Sequence, residues 1–68
     1  MIYANIKIVL PNGNFIKKTF EVPKEADFYP FARRRVQRLL KPIWAHYSAE
    51  SYLDYLKKCK VIITKSTD

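Results

Sequence analysis

One stretch of the sequence, residues 28–47, constrains the fold more than any other part of the chain. Projected at about 100° per residue, its apolar side chains fall within one broad sector, which is the pattern of an amphipathic helix. The members of this sector are Phe28, Phe31, Ala32, Val36, Leu39, Leu40, Ile43 and Tyr47. Because such a helix must bury its apolar sector, the remaining segments are expected to form a surface that receives it.

Prolines and a capping residue set the predicted limits of this helix. Asp27 can cap it, and Pro30 lies in the first turn, where a missing N–H costs nothing. The helix is therefore predicted to begin between Asp27 and Tyr29. Pro42 lies in the interior, where it removes one intrahelical hydrogen bond and disfavours α geometry at the preceding residue. We expect a kink or a break at Pro42 and a short segment from there to Tyr47.

The segment before the helix predicts a β-hairpin. In residues 2–10 every even-numbered side chain is apolar, which is the period of two expected of a half-buried strand. A two-residue loop would mix apolar and polar faces, so we predict the three-residue loop Asn12-Gly13-Asn14, which pairs Ile6 with Phe20. The solvent face of the sheet is then formed by Asn5, Lys7, Val9, Lys17, Thr19 and Glu21.

The last third of the sequence predicts a second helix and a third strand. Ser48 is a suitable N-cap for a helix from Ala49 to about Lys58. The apolar side of this helix is predicted to comprise Ala49, Tyr52, Leu53 and Leu56, with Tyr55 at its edge. The β-branched run at residues 61–64 predicts a strand, and residues 65–68 are expected to fray.

The predicted order of strand, strand, helix, helix, strand indicates a single small α+β domain over residues 1–68. Because two helices reverse the chain twice, we expect a three-stranded mixed sheet, with the last strand beside the first and parallel to it and both helices on one face. An antiparallel last strand beside the second strand is the alternative. The predicted core includes Ile6, Ile8, Phe20, Phe28, Val36, Leu39, Leu56 and Val61.

The residue types needed for common catalytic and cofactor sites are scarce. A single Gly cannot form a glycine-rich phosphate loop. One Cys and one His fall short of a zinc site, and a predicted helix separates His46 from Cys59, so no thiol catalysis is expected. A chain of 68 residues also has little room for a catalytic cavity. We therefore expect no enzymatic activity, no cofactor and no metal.

Composition also bears on location and assembly. The single cysteine, Cys59, cannot form an internal disulfide, so a reducing cytoplasm is the default expectation. The sequence has no signal-peptide pattern and no apolar run long enough to span a membrane, so no membrane association is expected. We expect a monomer, or a homodimer formed through an unpaired edge of the sheet.

The positive charge is concentrated in the central helix. The chain carries 13 Lys and Arg against 6 Asp and Glu, a net charge of +7. Residues 27–47 hold five of the basic residues and one acidic residue. Such an excess suggests an anionic partner.

The candidate site is the polar side of this helix, formed by Arg33, Arg34, Arg35, Gln37, Arg38, Lys41 and Trp44. The spacing of Arg34, Arg38 and Lys41 places them along one ridge, and the planar guanidinium of Arg suits phosphate. Gln37 beside the ridge could read a base edge, and Trp44 or Tyr47 could stack if exposed. For Arg33 and Arg35, which flank the apolar sector, we favour a packing role in which the long stems shield apolar surface.

Three functions are consistent with this sequence. The leading hypothesis is a non-catalytic binding module that contacts nucleic-acid phosphates through the helix face from Arg33 to Lys41. The second is a small regulator or inhibitor that binds an acidic protein surface with the same face, or uses Tyr3, Trp44 or Tyr55 as an aromatic anchor. The third is an accessory domain whose sheet edge is completed by dimerisation.

Overall fold

The computed structural model describes residues 1–67 and shows an α+β fold. Three strands form one open sheet in the order β2-β1-β3, where β1 is Ile2–Val9, β2 is Phe15–Val22 and β3 is Lys60–Thr67. Two helices connect β2 to β3, and these are α1, Phe28–Tyr47, and α2, Tyr52–Lys58. The predicted class, the order of the elements and the central position of the first strand are confirmed.

The hairpin has the predicted faces, but its register differs from the predicted one by two residues. Phe20 lies opposite Ala4, and Ile6 lies opposite Lys18, whereas the sequence predicted that Ile6 would pair with Phe20. A shift of one residue would have exchanged the two faces of β2. Because the shift is two, every side chain of β2 keeps its predicted face.

The hairpin loop explains this shift. It has three residues, as predicted, but they are Pro11-Asn12-Gly13, because the Leu10 N–H donates to the Asn14 carbonyl oxygen at 2.7 Å and closes the ladder. Pro11 has no N–H to offer the ladder, and its restricted φ suits a turn. Gly13 follows with a φ of 91°, a conformation that favours glycine.

Helix α1 begins at Phe28, within the predicted limits. Asp27 occupies the N-cap position, although its side chain makes no capping hydrogen bond. The helix continues across Pro42 to Tyr47, so the predicted break is absent. A kink at Pro42 stays a prediction.

Helix α2 begins later than the sequence predicted. Ser48 caps the end of α1, where its N–H donates to the Trp44 carbonyl oxygen at 2.9 Å. Ser51 is the N-cap of α2, and its hydroxyl accepts the Asp54 N–H at 3.2 Å. Two serines three residues apart are equally suitable caps by residue type, and the later one is used because α1 extends to Tyr47.

The side of α2 that faces the core also differs from the prediction. Tyr55 is buried at 8% exposure, although the sequence placed it at the edge of the apolar side. Leu53 was predicted to pack inward and is instead 67% exposed. Tyr52 and Leu56 pack against the core as predicted, whereas Ala49 is exposed and precedes the helix.

Strand β3 lies beside β1, as predicted, but runs antiparallel to it, so the sheet is antiparallel throughout instead of mixed. The reason is the length of α2. The 20 residues of α1 span about 30 Å and carry the chain the full length of the sheet, whereas the seven of α2 span only about 10 Å. The chain therefore remains at the end of the sheet where α1 finishes, and β3 begins opposite Val9.

The predicted frayed end is also wrong over the described residues, because β3 extends to Thr67. Ser66 lies opposite Tyr3, and its hydroxyl accepts a hydrogen bond from the Asn5 amide at 3.0 Å. Asp68 lies outside the described residues.

The core lies between one face of the sheet and the two helices, as predicted. Its buried members are Ala4, Ile6, Ile8, Val22, Phe31, Ala32, Val36, Leu40 and Tyr55. The residues predicted for the core are either among these or packed against them. The outer face of the sheet has no helix against it, and it carries a hydrogen-bonded row in which the Thr19 hydroxyl donates to Asn5 at 2.8 Å.

Candidate functional site

The polar side of α1 carries a cluster of basic side chains. Burial of the opposite side fixes the helix rotation, because Ala32 and Leu40 are completely buried against the sheet. The side chains that face away are exposed, and these are Arg33, Arg34, Gln37, Arg38 and Lys41. The structure therefore brings the predicted ridge of Arg34, Arg38 and Lys41 to the surface.

The basic side chains of α1 have no carboxylate partner among residues 1–67. The one ion pair in that part of the chain joins the Lys58 Nζ to a Glu50 carboxylate oxygen at 2.7 Å. This hydrogen bond and the charge of Glu50 raise the pKa of Lys58. The positive charge of α1 is consequently left for solvent or for a ligand.

Arg35 differs from the other arginines because its side chain is held by aromatic rings. Its guanidinium lies 5.1 Å from the ring centre of Phe20 and 5.2 Å from that of Phe31, distances at which a cation is attracted to the π face. Arg35 is half-buried. The packing role that the sequence predicted for Arg35 is therefore seen, and it fixes the position of a charged group at the surface.

Trp44 packs inward and is not an exposed stacking platform. Its indole N–H donates to the Glu50 carbonyl oxygen at 2.6 Å, and its ring meets Tyr52 edge to face at 5.7 Å. Lys41 lies over the same Tyr52 ring at 5.6 Å. The exposed aromatic side chain at this end of α1 is Tyr47, which is 77% exposed and whose ring contacts that of its neighbour His46.

Two grooves flank α1, and they differ in character. The first, of about 610 Å³, lies between α1 and the connector that follows β2. Its lining includes three of the arginines, and the full set is Pro23, Glu25, Ala26, Phe31, Arg34, Arg35 and Arg38. We call it the arginine groove.

The second groove, of about 580 Å³, lies between α1, α2 and β3. Its floor is mostly apolar and includes Val36, Leu56, Val61 and Ile63, while Arg33, Gln37 and Lys57 contribute polar groups. We call it the apolar groove. The sequence placed Arg33 and Arg35 in one class, as residues that flank the apolar sector, and the structure separates them onto opposite sides of the helix.

Cys59 borders the apolar groove and is half-buried at the end of α2. Burial raises the pKa of its thiol, and the charge of Glu50 adds to the effect. A raised pKa leaves less thiolate at neutral pH and makes the thiol a weaker nucleophile. No group of three His, Cys, Asp or Glu side chains within the described chain is arranged to hold a metal ion.

We compared the chain with protein-family models, curated proteins and solved structures. None of them matches. Neither helix in residues 1–67 combines the length and the apolar character needed to cross a membrane.

Sequence reasoning missed three contributors to this surface. Phe20 and Phe31 were expected only in the core, yet they also hold Arg35. Glu25 was not considered as a site residue, yet it lines the arginine groove. Phe31 could have been found from its spacing, because it precedes Arg35 by four residues on one helix. No signal in the sequence links Phe20 to Arg35, because that contact joins segments 15 residues apart and depends on where α1 crosses the sheet.

Proposed function

We propose that this protein is a non-catalytic binding module that contacts nucleic-acid phosphates through the exposed side of α1, from Arg33 to Lys41. One observation carries the proposal: the five cationic side chains of α1 have no carboxylate partner within residues 1–67. Arginine forks donate paired hydrogen bonds to phosphate oxygens. Lys41 at the end of the ridge adds a point charge.

The surface favours backbone contact over base readout. Trp44 was a candidate for base stacking, but its indole N–H is engaged by Glu50 and its ring by Tyr52. Gln37 is exposed beside the ridge and is the candidate for a hydrogen bond to a base edge. Phosphate contacts of this kind position a protein on nucleic acid and carry little sequence information.

An acidic protein surface is the competing partner for the same charges. Two of the three aromatic anchors that this reading invoked are unsuitable, because Tyr55 is buried and Trp44 packs against the core. The observation that supports the first reading, unpaired arginines, does not by itself distinguish phosphate from carboxylate. Competition by unlabelled nucleic acid separates the two partners.

The test is the triple substitution Arg34→Gln, Arg38→Gln and Lys41→Gln, with binding to labelled single-stranded and duplex DNA and RNA measured by fluorescence anisotropy. Gln retains a high helix propensity, so α1 should remain folded. Each lost phosphate contact lowers the slope of log affinity against log salt by roughly 0.7 to 0.9, so three should flatten it by about 2 to 3.

A charge-matched control is available on the outer face of the sheet. The triple substitution Lys7→Gln, Lys17→Gln and Lys60→Gln removes the same charge from the side opposite α1, and it should leave the slope nearly unchanged. Wild-type protein that binds no nucleic acid at low salt would refute the proposal. Binding to an acidic protein that unlabelled nucleic acid fails to displace would favour the second reading.

A further inference from the structure

The arginine groove brings Arg34, Arg35 and Arg38 to one site. The ridge of Arg34, Arg38 and Lys41, in contrast, extends along the helix. Arg34 and Arg38 are four residues apart and share one side of α1, and Arg35 lies beside them at the foot of the same groove. Like charges at this spacing destabilise a helix. An anion held between them removes that repulsion, so the cluster is better stabilised when a phosphate is bound.

Arg35 is prepared for this role by its packing. Because Phe20 and Phe31 hold the guanidinium in place, less side-chain freedom is lost when it binds a ligand. Arg34 and Arg38 are exposed at the rim and can adjust to the ligand. One fixed guanidinium and two mobile ones suit a charged group that enters from solvent.

The lining of the arginine groove carries a net positive charge. Glu25 is the single carboxylate among the residues that line the groove, against three arginines. Outside the groove, β2 carries a further cation, because Lys18 lies two residues from Phe20 on the same face of the strand and is exposed. The lining of the groove therefore suits an anion.

The opposite side of α1 provides the contrast. Arg33 and Lys57 border the apolar groove, but its floor consists mainly of aliphatic side chains that offer phosphate no hydrogen bonds. Neither cation is held over an aromatic ring among the described contacts. Of the two flanks of α1, only the β2 side combines clustered arginines with a preformed guanidinium.

From these observations we infer that the phosphodiester backbone of a nucleic acid strand lies in the arginine groove, between α1 and the connector after β2, with Arg35 as the fixed phosphate ligand and Arg34 and Arg38 as rim ligands. This inference rests on the proposed function and makes it specific to one side of the helix. It also assigns Arg35, for which the sequence favoured packing alone, a second role in binding.

The test compares two charge-matched double variants. Arg34→Gln with Arg38→Gln removes two groove cations, and Arg33→Gln with Lys57→Gln removes two cations from the other flank. Anisotropy is measured with labelled single-stranded and duplex DNA of about 12 nucleotides or base pairs, over about 50 to 200 mM salt. The groove variant should flatten the salt slope by about 1.4 on the single strand and about 1.8 on the duplex. The variant of the other flank should flatten both slopes clearly less than the groove variant does.

A conservative substitution tests Arg35 separately. Arg35→Lys retains the charge but loses the planar guanidinium. Because one charged hydrogen bond is lost, the affinity for nucleic acid should fall by about tenfold, while the salt slope should stay the same. Arg33→Lys makes the same change on the other flank of α1 and should lower affinity less than Arg35→Lys does. Circular dichroism in urea reports whether either variant has lost stability, and affinities are compared at protein concentrations where both are folded.

The outcomes distinguish this inference from the proposed function. If both double variants flatten the slope equally, or if only the Arg33 and Lys57 variant does, the backbone does not lie in the arginine groove although nucleic-acid binding stands. Equal affinities for Arg35→Lys and Arg33→Lys would overturn the role of Arg35. If wild-type protein binds neither probe, the proposed function fails and this inference fails with it.

Discussion

Leu40 offers the sharpest test of the fold, because it is the largest α1 side chain that is completely buried. Leu40→Ala removes buried methyl and methylene groups and leaves a cavity, a change that costs about 2 to 5 kcal/mol. A chain of 68 residues has a free energy of unfolding of about 3 to 10 kcal/mol. The substitution should therefore remove a large share of the stability or unfold the protein outright.

The matched control is Leu53→Ala, the same chemical change on the other helix. Leu53 is 67% exposed, and a surface substitution of this kind changes stability by about 0.5 kcal/mol or less. Ile8→Val, at a completely buried position of β1, provides a milder core change of about 0.5 to 1.5 kcal/mol that remains measurable if Leu40→Ala is unfolded.

The assay is urea denaturation followed by far-ultraviolet circular dichroism and by the fluorescence of Trp44, the single tryptophan. Coincident transitions by the two probes support a two-state analysis, from which free energies follow by linear extrapolation. The expected order of stability is wild type and Leu53→Ala together, then Ile8→Val, then Leu40→Ala. The packing described here is refuted if Leu40→Ala costs no more than Leu53→Ala.

Two further predictions concern α2. Ser51→Ala should cost about 1 kcal/mol and speed hydrogen exchange at the Asp54 amide, which loses its capping acceptor; unchanged exchange at Asp54 would mean that Ser51 is not the N-cap. Burial raises the pKa of Cys59 above its ordinary 9.0, so the folded state holds the thiol proton more tightly than the unfolded state does. The resulting stabilisation of the fold is complete below pH 9.0 and is lost as pH rises through the folded pKa. Cys59→Ala should retain nucleic-acid affinity. In urea midpoints measured from about pH 7 to about pH 10, it should lose less stability than wild type above pH 9.0. Parallel pH profiles of the two proteins would contradict the raised pKa.

The local features of the chain were predictable from residue types and periods. The apolar sector of α1 and the start of the helix at Phe28 follow from helical spacing and from signals near Pro30, although Tyr47, predicted in that sector, is exposed. The faces of the hairpin follow from the period of two, and the positive φ of Gly13 from its lack of a Cβ. The basic side of α1 was equally visible, because side chains opposite a buried sector must face solvent.

Some errors arose where two local signals were equivalent. Ser48 and Ser51 are both good caps by residue type, and Leu53 and Tyr55 are both apolar enough to face the core. The register of the hairpin depended on whether Pro11 lies in the loop or in the ladder. Such choices are decided by the packing of the whole element and not by the residue at the boundary.

The sequence by itself determined which elements form, which faces β1, β2 and α1 bury and where the positive charge lies, because these depend on residues close in the chain. Only the tertiary structure decided the direction of β3, since that depends on how far α2 carries the chain across the sheet. It also decided that Arg35 meets Phe20 while Arg33 borders the apolar groove. The two arginines hold equivalent positions on either flank of the helix, and their surroundings come from distant segments that a helical projection does not contain.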